Sequence, residues 1–357
     1  MQPVKKSNIP TDGIKYIKEF KDTVDSLDKY LKQTKKSCDA FDKQNPQLKI
    51  NKKLTALKAH KVFENIDSYS KKLYILSKKN TDNDIYEHNK KYLQDKIVKY
   101  FICSPINKHM LEKPLGYPGD YLLTNMIYDL CDQEISNSSF ANIIHKYVYH
   151  LPIIQSNLER KQYLKEKIKS MALKKKGTLK VASFVCGPAN EITELVKEGL
   201  KISCQFYLID FENKALDYIK KEIAKIENSK KKNIKVTLLN YDLKHIILNK
   251  IDPELRDFDL IYSFGFFDYL KDNFSKNMIK NFIQLLNKRG SVILINANDN
   301  ENVFHKTYYE MLGEWVFYHR SREEMLSWIP DNIKNDFIIK FDNIKHDGYH
   351  IMVLSKK

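Results

Sequence analysis

From Thr11 to about Leu151 the apolar residues recur at helical spacing, with almost no strand signal between them. Ile17, Phe20, Val24, Leu27, Leu31, Cys38 and Phe41 step by three, four or seven, laying one apolar stripe along a helix and leaving Lys and Asp elsewhere. Asn45-Pro46 stops that helix, because the residue before a proline is driven out of the helical region. A second periodic stretch carries Leu54, Leu57, Phe63, Ile66, Tyr69, Leu73 and Leu76. After the polar break from Asn80 to Asp84 a third carries Tyr86, Leu93, Ile97 and Tyr100. These stretches predict a helical hairpin or small bundle, whose stripe packs on its own neighbours or forms the seam of a homodimer.

The segment from Lys113 to Tyr121, Lys-Pro-Leu-Gly-Tyr-Pro-Gly-Asp-Tyr, cannot continue a helix and predicts a structured loop. Its glycines, aromatics and acid are the ingredients of a ligand lid as much as of a plain connector. A further amphipathic helix is expected from about Phe140 to Lys169, ending at the linker from Lys174 to Gly177.

From Leu179 the period changes. Strand-length apolar runs (Leu179 to Val185, Cys204 to Ile209, Ile234 to Leu239, Leu260 to Ser263, Ser291 to Ile295) alternate with helical stretches (Glu191 to Glu198, Lys214 to Ile226, Asn273 to Leu286). Such alternation builds βαβ units and a mostly parallel sheet covered on both faces. Phe337 to Phe341 and His350 to Leu354 flank the turn-like Lys345-His-Asp-Gly348, which predicts an antiparallel hairpin at one sheet edge. The expected fold class is α/β: a mostly parallel sheet with an antiparallel C-terminal hairpin, preceded by an all-helical N-terminal domain. The expected divisions are 1–110 for the helices, 111–175 for the lid loop and connecting helices, and 176–357 for the sheet domain.

With 357 residues, 42% hydrophobic and 12% aromatic, the chain has the composition of a packed globular protein rather than a disordered one. A net charge of +16 suggests an anionic partner, yet only five of the 61 basic residues are arginines. The lysines are spread along polar helix faces, so nucleic acid is not the expected partner. The five cysteines show no CxxC and no histidine cluster, which points to neither a disulfide framework nor a metal site. No apolar run is long enough to span a bilayer, and Lys5 and Lys6 open a polar start, so a cytoplasmic location is expected.

In an open α/β sheet the ligand lies beyond the carboxyl ends of the strands. After the first run comes Val185-Cys-Gly-Pro-Ala-Asn-Glu191, where Gly187 allows a tight turn and a helix begins near Asn190. Pro188 and Ala189 stand where a dinucleotide fingerprint needs glycines, which argues against NAD or FAD. Asp210 follows the second run, at the interval where a carboxylate meets a ribose diol, and Asn240-Tyr-Asp242 follows the third, where Asp242 could accept an adenine amine. The fourth gives Tyr262-Ser-Phe-Gly-Phe-Phe-Asp-Tyr269, with Phe264 in the loop. Together these describe a pocket for an adenosine without a phosphate cradle, and hence S-adenosyl-L-methionine.

On these residues, 179–357 resemble a class I S-adenosylmethionine-dependent methyltransferase, with its Rossmann-like sheet. Gly116-Tyr-Pro-Gly-Asp-Tyr121, Phe267-Asp-Tyr-Leu270 and Glu314-Trp-Val-Phe-Tyr-His-Arg320 are similar to motifs of bacterial 3-hydroxypalmitic acid methyl ester synthases. The resemblance covers about 105–357. It implies that the loop with Tyr117, Gly119 and Asp120 closes over the cofactor. It also implies that the turn with Cys186, Gly187 and Pro188, together with Asp210, holds the methionine and ribose parts, and that Asp242 reads adenine. The sequence departs from it at Cys186-Gly187-Pro188, where a second glycine is common.

Methyl transfer is an in-line displacement that needs positioning and exclusion of water. The expected acceptor is a small, apolar or acidic molecule, with a fatty-acid-like carboxylate among the candidates. The candidate wall is aromatic: Phe264, Phe266, Phe267, Tyr269, Phe304, Tyr308, Tyr309, Trp315, Phe317 and Tyr318. Asp268, His305, His319 and Arg320 are the titratable groups among them; Arg320 could orient a carboxylate bidentately and His305 could serve as a base. Asp268, Tyr269, His305 and Arg320 are thus the residues expected at the chemistry, with Asp120 and Arg160 on the methionine carboxylate and ammonium. Two alternatives remain: a protein or nucleic-acid methyltransferase docked by the helices, and a non-catalytic cofactor-binding protein. The first lacks an Asn/Asp-Pro-Pro-aromatic loop and a Pro-Cys nucleophile.

Overall fold

The computed structural model describes residues 11–45, 52–79, 82–131, 133–242, 244–245, 252, 255–300 and 304–357, with side chains from 17 and, after the first break, from 59. Pro46, Leu54 and Leu57 lie outside what is described, the two leucines in their side chains only. The chain packs as two units: 1–119 with 130–151 and 301–316, and 120–129 with 152–300 and 317–357. These bounds do not follow the expected divisions at 110 and 175, because segments distant in sequence return to each unit.

The first unit is helical: α1 (Thr11–Gln44), α2 (Lys52–Lys78), α3 (Asn83–Phe101), α4 (Pro105–Glu112), then α6 (Ser139–His150) after the second unit's α5 (Tyr121–Asp129). Asp82 caps α3, its carboxylate accepting from the amides of Asp84 and Ile85. Phe20, Val24, Leu27 and Leu31 of the α1 stripe are all buried, against α2, α3 and α6. These four positions of the stripe are thus covered by their own unit. Residues 307–312 add a π-helical turn to this unit. The single helix expected from Phe140 to Lys169 is two, because Pro152 ends α6 after Leu151 and opens α7 (Pro152–Lys174).

The second unit carries a seven-stranded sheet in the order β3-β2-β1-β4-β5-β7-β6. Its strands are β1 (Leu179–Phe184), β2 (Cys204–Asp210), β3 (Ile234–Asn240), β4 (Phe258–Ser263), β5 (Leu286–Ala297), β6 (Phe337–Asp342) and β7 (Tyr349–Lys356). The first five pair in parallel, and β7 runs antiparallel to β5 and β6. The result is the expected mostly parallel, Rossmann-like sheet with an antiparallel C-terminal hairpin. Strand β5 begins earlier than its apolar run, because Leu286 already pairs with Phe258 across a register shift. Gly290 permits that approach, since a Cβ there would lie 2.6 Å from the Phe258 carbonyl oxygen. Helix α8 (Asn190–Glu198), α9 (Asn213–Ala224) and the helix Asp272–Leu285 accompany the sheet. Phe184, Phe282, Phe267 and Trp328 form a fully buried aromatic cluster, with the first two rings 4.6 Å apart. This core holds the strand ends in place. Among the described residues no helix is long and apolar enough to cross a membrane.

Candidate functional site

The chain reverses order between β1 and β4, so the crevice beyond their carboxyl ends is where an open α/β sheet receives a ligand. The turn after β1 is strained: Val185, Gly187 and Ala189 all have positive φ, at 55°, 54° and 45°. A β-branched residue in that region is an outlier, and such strain collects at ligand sites. Asp210, at the end of β2, braces the turn. Its Oδ2 accepts from the Gly187 amide at 2.8 Å and its Oδ1 from the Glu212 amide at 2.9 Å. Burial raises its carboxyl above the ordinary range, against the pull of those amides. Asp210 is therefore fixed inward, 2% exposed, rather than presented freely. Nothing lies within 4 Å of where a Gly187 side chain would be, so the backbone there is open to close approach. Pro188 is buried behind it, and burial and Asp210 together push the Cys186 thiol up.

Strand β3 places Asn240 opposite Asp210, and Asn240 Nδ2 donates to the carbonyls of Asp210 and Phe211. Asp242 is exposed just beyond, accepting from the Lys244 amide. The Phe211 ring is 45% exposed, an apolar face at the strand end that the sequence reading passed over. Asp120 is fully buried and caps α5 through the Leu123 amide. Tyr117 and Gly119 belong to the helical unit.

The densest chemistry gathers around Arg160 of α7. Its guanidinium packs on the loop after β4: a Cβ on Gly265, whose φ is +86°, would lie 3.4 Å from Nη1. The Tyr349 ring of β7 is 5.2 Å away. Burial works against the Arg160 charge, and Tyr349, Tyr128 and Asp268 more than restore it. Arg160 is 8% exposed, and Nη1 has no hydrogen-bond partner among the described residues. Glu191, the second residue of α8, is buried near it and accepts from the Tyr262 hydroxyl at 2.7 Å. Burial raises the Glu191 carboxyl, with Tyr262 and Arg160 opposing. Tyr128, Glu191, Tyr262 and Tyr349 were missed from sequence. Glu191 and Tyr262 carried a signal, the one in the first turn after Gly187 and the other at the end of the fourth apolar run.

Asp268 sits in the short turn Phe267–Tyr269 after β4 and is 1% exposed. Its Oδ1 accepts from the Ala297 amide at 2.6 Å, at the end of β5. Burial pushes its carboxyl up to about 6, against that amide and the charges of Arg160 and Arg320. Tyr269 is 39% exposed, its ring 5.8 Å from Phe317, and Phe264 lies edge-on to Tyr262.

Two expected residues are spent elsewhere. Arg320 donates to Asp272, Asn296 and the carbonyls of Phe267 and Leu270, tying the turn after β4 to the end of β5. Its fork is occupied by the protein and is not offered to an acceptor. His305 belongs to the helical unit, where its Nε2 meets Asp67 Oδ1 at 3.1 Å. Tyr147 and His150 also donate to Asp67. Phe304, Tyr308, Tyr309 and Trp315, expected in the pocket wall, belong to that unit as well. Among the described residues no group of three or more His, Cys, Asp or Glu is placed to hold a metal.

No protein-family model matches the chain, and no curated protein matches its sequence. Solved structures do. A possible exported protein from Bordetella parapertussis is 16% identical with a TM-score of 0.52, covering 70% of this chain and 86% of its own. Magnesium protoporphyrin IX methyltransferase from Synechocystis with bound S-adenosylhomocysteine is 12% identical with a TM-score of 0.46, over 71% of this chain and 98% of its own. A bacterial Hen1 methyltransferase domain is 15% identical with a TM-score of 0.41, over 56% of this chain and 98% of its own. At these identities the likeness is one of fold.

Proposed function

We propose that the chain is an S-adenosylmethionine-dependent methyltransferase whose acceptor is a small molecule with an apolar body. Arg160 carries the reading. A buried guanidinium with an unpartnered Nη1 is costly, so the fold holds that donor for an anion that none of the described residues supplies. An α-amino acid fits this place: its carboxylate would take the free donor of Arg160, and its ammonium would face the Glu191 carboxylate. The open backbone at Gly187 admits the rest of the ligand, and Phe211 offers a face on which a base can stack. Asp210 would hold the Gly187 turn in shape and meet the ribose with its remaining lone pairs. Asp242 would accept the adenine amine.

When bound, the cofactor supplies a methyl group on a positively charged sulfur. The residues of the chain do the rest by position. The aromatic side chains of Phe264, Tyr269 and Phe317 would exclude water and orient an apolar acceptor for in-line attack. Titration calorimetry with S-adenosylhomocysteine tests the reading. The wild-type protein should bind it, and Arg160→Met should weaken binding about 100-fold, the equivalent of one lost charge-assisted contact. A cooperative thermal transition in Arg160→Met should show that the variant still folds, so that lost binding is not lost structure. Absence of binding to the wild type would end the reading; equal binding by the variant would remove Arg160 from it.

A further inference from the structure

We infer that Asp268 is the general base of this site, and that the acceptor is a group that must shed a proton, a hydroxyl or an amine, rather than a carboxylate. The inference rests on the methyltransferase reading above and names the acceptor class for it. Asp268 lies at the carboxyl ends of β4 and β5, on the side of the crevice where Arg160 packs on Gly265. It is rigidly held. Its Oδ1 is taken by the Ala297 amide, and its backbone carbonyl accepts from the Tyr318 amide at 2.8 Å. Its Oδ2 has no donor among the described residues. A nearly fully buried carboxylate with one oxygen left over is an acceptor waiting for a proton.

The charged and titratable groups that face Asp268 are Arg160 from α7, Arg320 from the segment after Phe317, and Tyr349 from β7. Arg320 is tied to Asp272, Asn296 and two carbonyls, so it acts on Asp268 through its field alone. With its carboxyl raised to about 6, Asp268 is ionised at neutral pH yet basic enough to take up a proton during reaction. A carboxylate acceptor would bring a second negative charge beside it in a dry site, and two such groups oppose each other's ionisation. A hydroxyl or amine brings the proton that Oδ2 lacks.

The step balances. The acceptor oxygen or nitrogen forms a bond to the methyl carbon with its lone pair, and the carbon–sulfur pair returns to sulfur, which becomes a neutral thioether. The acceptor proton passes to Asp268 Oδ2, giving a neutral carboxylic acid that later releases the proton to water. One positive and one negative charge disappear together.

The test uses the full chain as wild type, Asp268→Asn and Asp268→Glu, with methyl-labelled S-adenosylmethionine and a fractionated cell extract, followed by treatment of the products with alkali. The label is expected to survive alkali, as ethers and methylamines do. Asp268→Asn should bind S-adenosylhomocysteine within about three-fold of wild type while transfer falls by about 100-fold or more, with partial recovery in Asp268→Glu. Carbon-13 spectra of carboxyl-labelled protein should contain an aspartate signal titrating near pH 6 that is absent from Asp268→Asn. Release of the label as methanol, which marks an ester, would overturn the inference, as would wild-type transfer by Asp268→Asn. Failure of the wild type to bind S-adenosylhomocysteine would bring down the cofactor reading itself.

Discussion

The Asp210 carboxylate and the Gly187 amide are joined by a 2.8 Å hydrogen bond, which links the end of β2 to the strained turn after β1. Asp210→Ala would leave two partly buried amides without their acceptor, at a cost of up to about 1–3 kcal/mol each. The expected result is a loss of about 2–5 kcal/mol in urea denaturation, with S-adenosylhomocysteine affinity falling at least ten-fold. Asp210→Asn keeps one acceptor oxygen and should fall between wild type and alanine on both measures.

Gly265 is expected to disfavour a side chain because of its left-handed backbone. Alanine there would adopt a φ of +86° and place its Cβ 3.4 Å from Arg160 Nη1. The backbone alone costs about 1–2 kcal/mol. Gly265→Ala should lower the melting temperature by several degrees and weaken S-adenosylhomocysteine binding. Gly177, equally left-handed but with open space around it, should show the stability loss without the binding loss.

The raised carboxyl of Asp268 makes stability depend on pH in a definite sense. Because its folded pKa lies above the ordinary 3.8, at about 6, the folded state holds the proton more tightly than the unfolded one. That contribution is full below pH 4 and disappears as pH rises to about 6, a span worth about 3 kcal/mol. Urea denaturation of wild type and Asp268→Asn at pH 4.5 and 7.5 checks it: the stability of the variant relative to wild type should improve at the higher pH.

Asp67 works in the opposite sense. Burial would raise its carboxyl, but His150, His305 and Tyr147 hold it well below the ordinary range. Its contribution is present above pH 4 and is lost on acidification. Asp67→Asn should destabilise the helical unit at pH 7 by about 2 kcal/mol or more and should leave S-adenosylhomocysteine binding by the sheet unit unchanged.

The parallel sheet was legible because βαβ alternation writes itself into the period of the apolar residues. The placement of Gly187, Asp210 and Asn240 at the strand ends was legible because the apolar runs mark where the strands stop. The neighbours of Arg160 were not. Tyr128, Arg160, Glu191 and Tyr349 come from α5, α7, α8 and β7, and no spacing in the chain announces that they meet. Arg320 and His305 have the right chemistry for a site, yet residue type does not tell whether the fold has already consumed a donor; Asn296 and Asp67 decided that. The break at Pro152 was marked by the proline itself, but the apolar periodicity runs through it without interruption and suggested one helix. Val185 carried no sequence signal at all, since nothing in the run from Leu179 to Val185 marks its left-handed backbone.

The chain passes from one unit to the other five times, after Gly119, Asp129, Leu151, Asn300 and Val316. No single cut can therefore detach a complete sheet from a complete bundle. A fragment beginning at Leu179 would lose α7, and with it the Arg160 guanidinium that packs on Gly265, while keeping a stray length of chain that belongs to the helices. Any shortening of this protein that respects its interior must remove internal pieces and rejoin the ends, and a protease nicking one linker should leave both halves bound together.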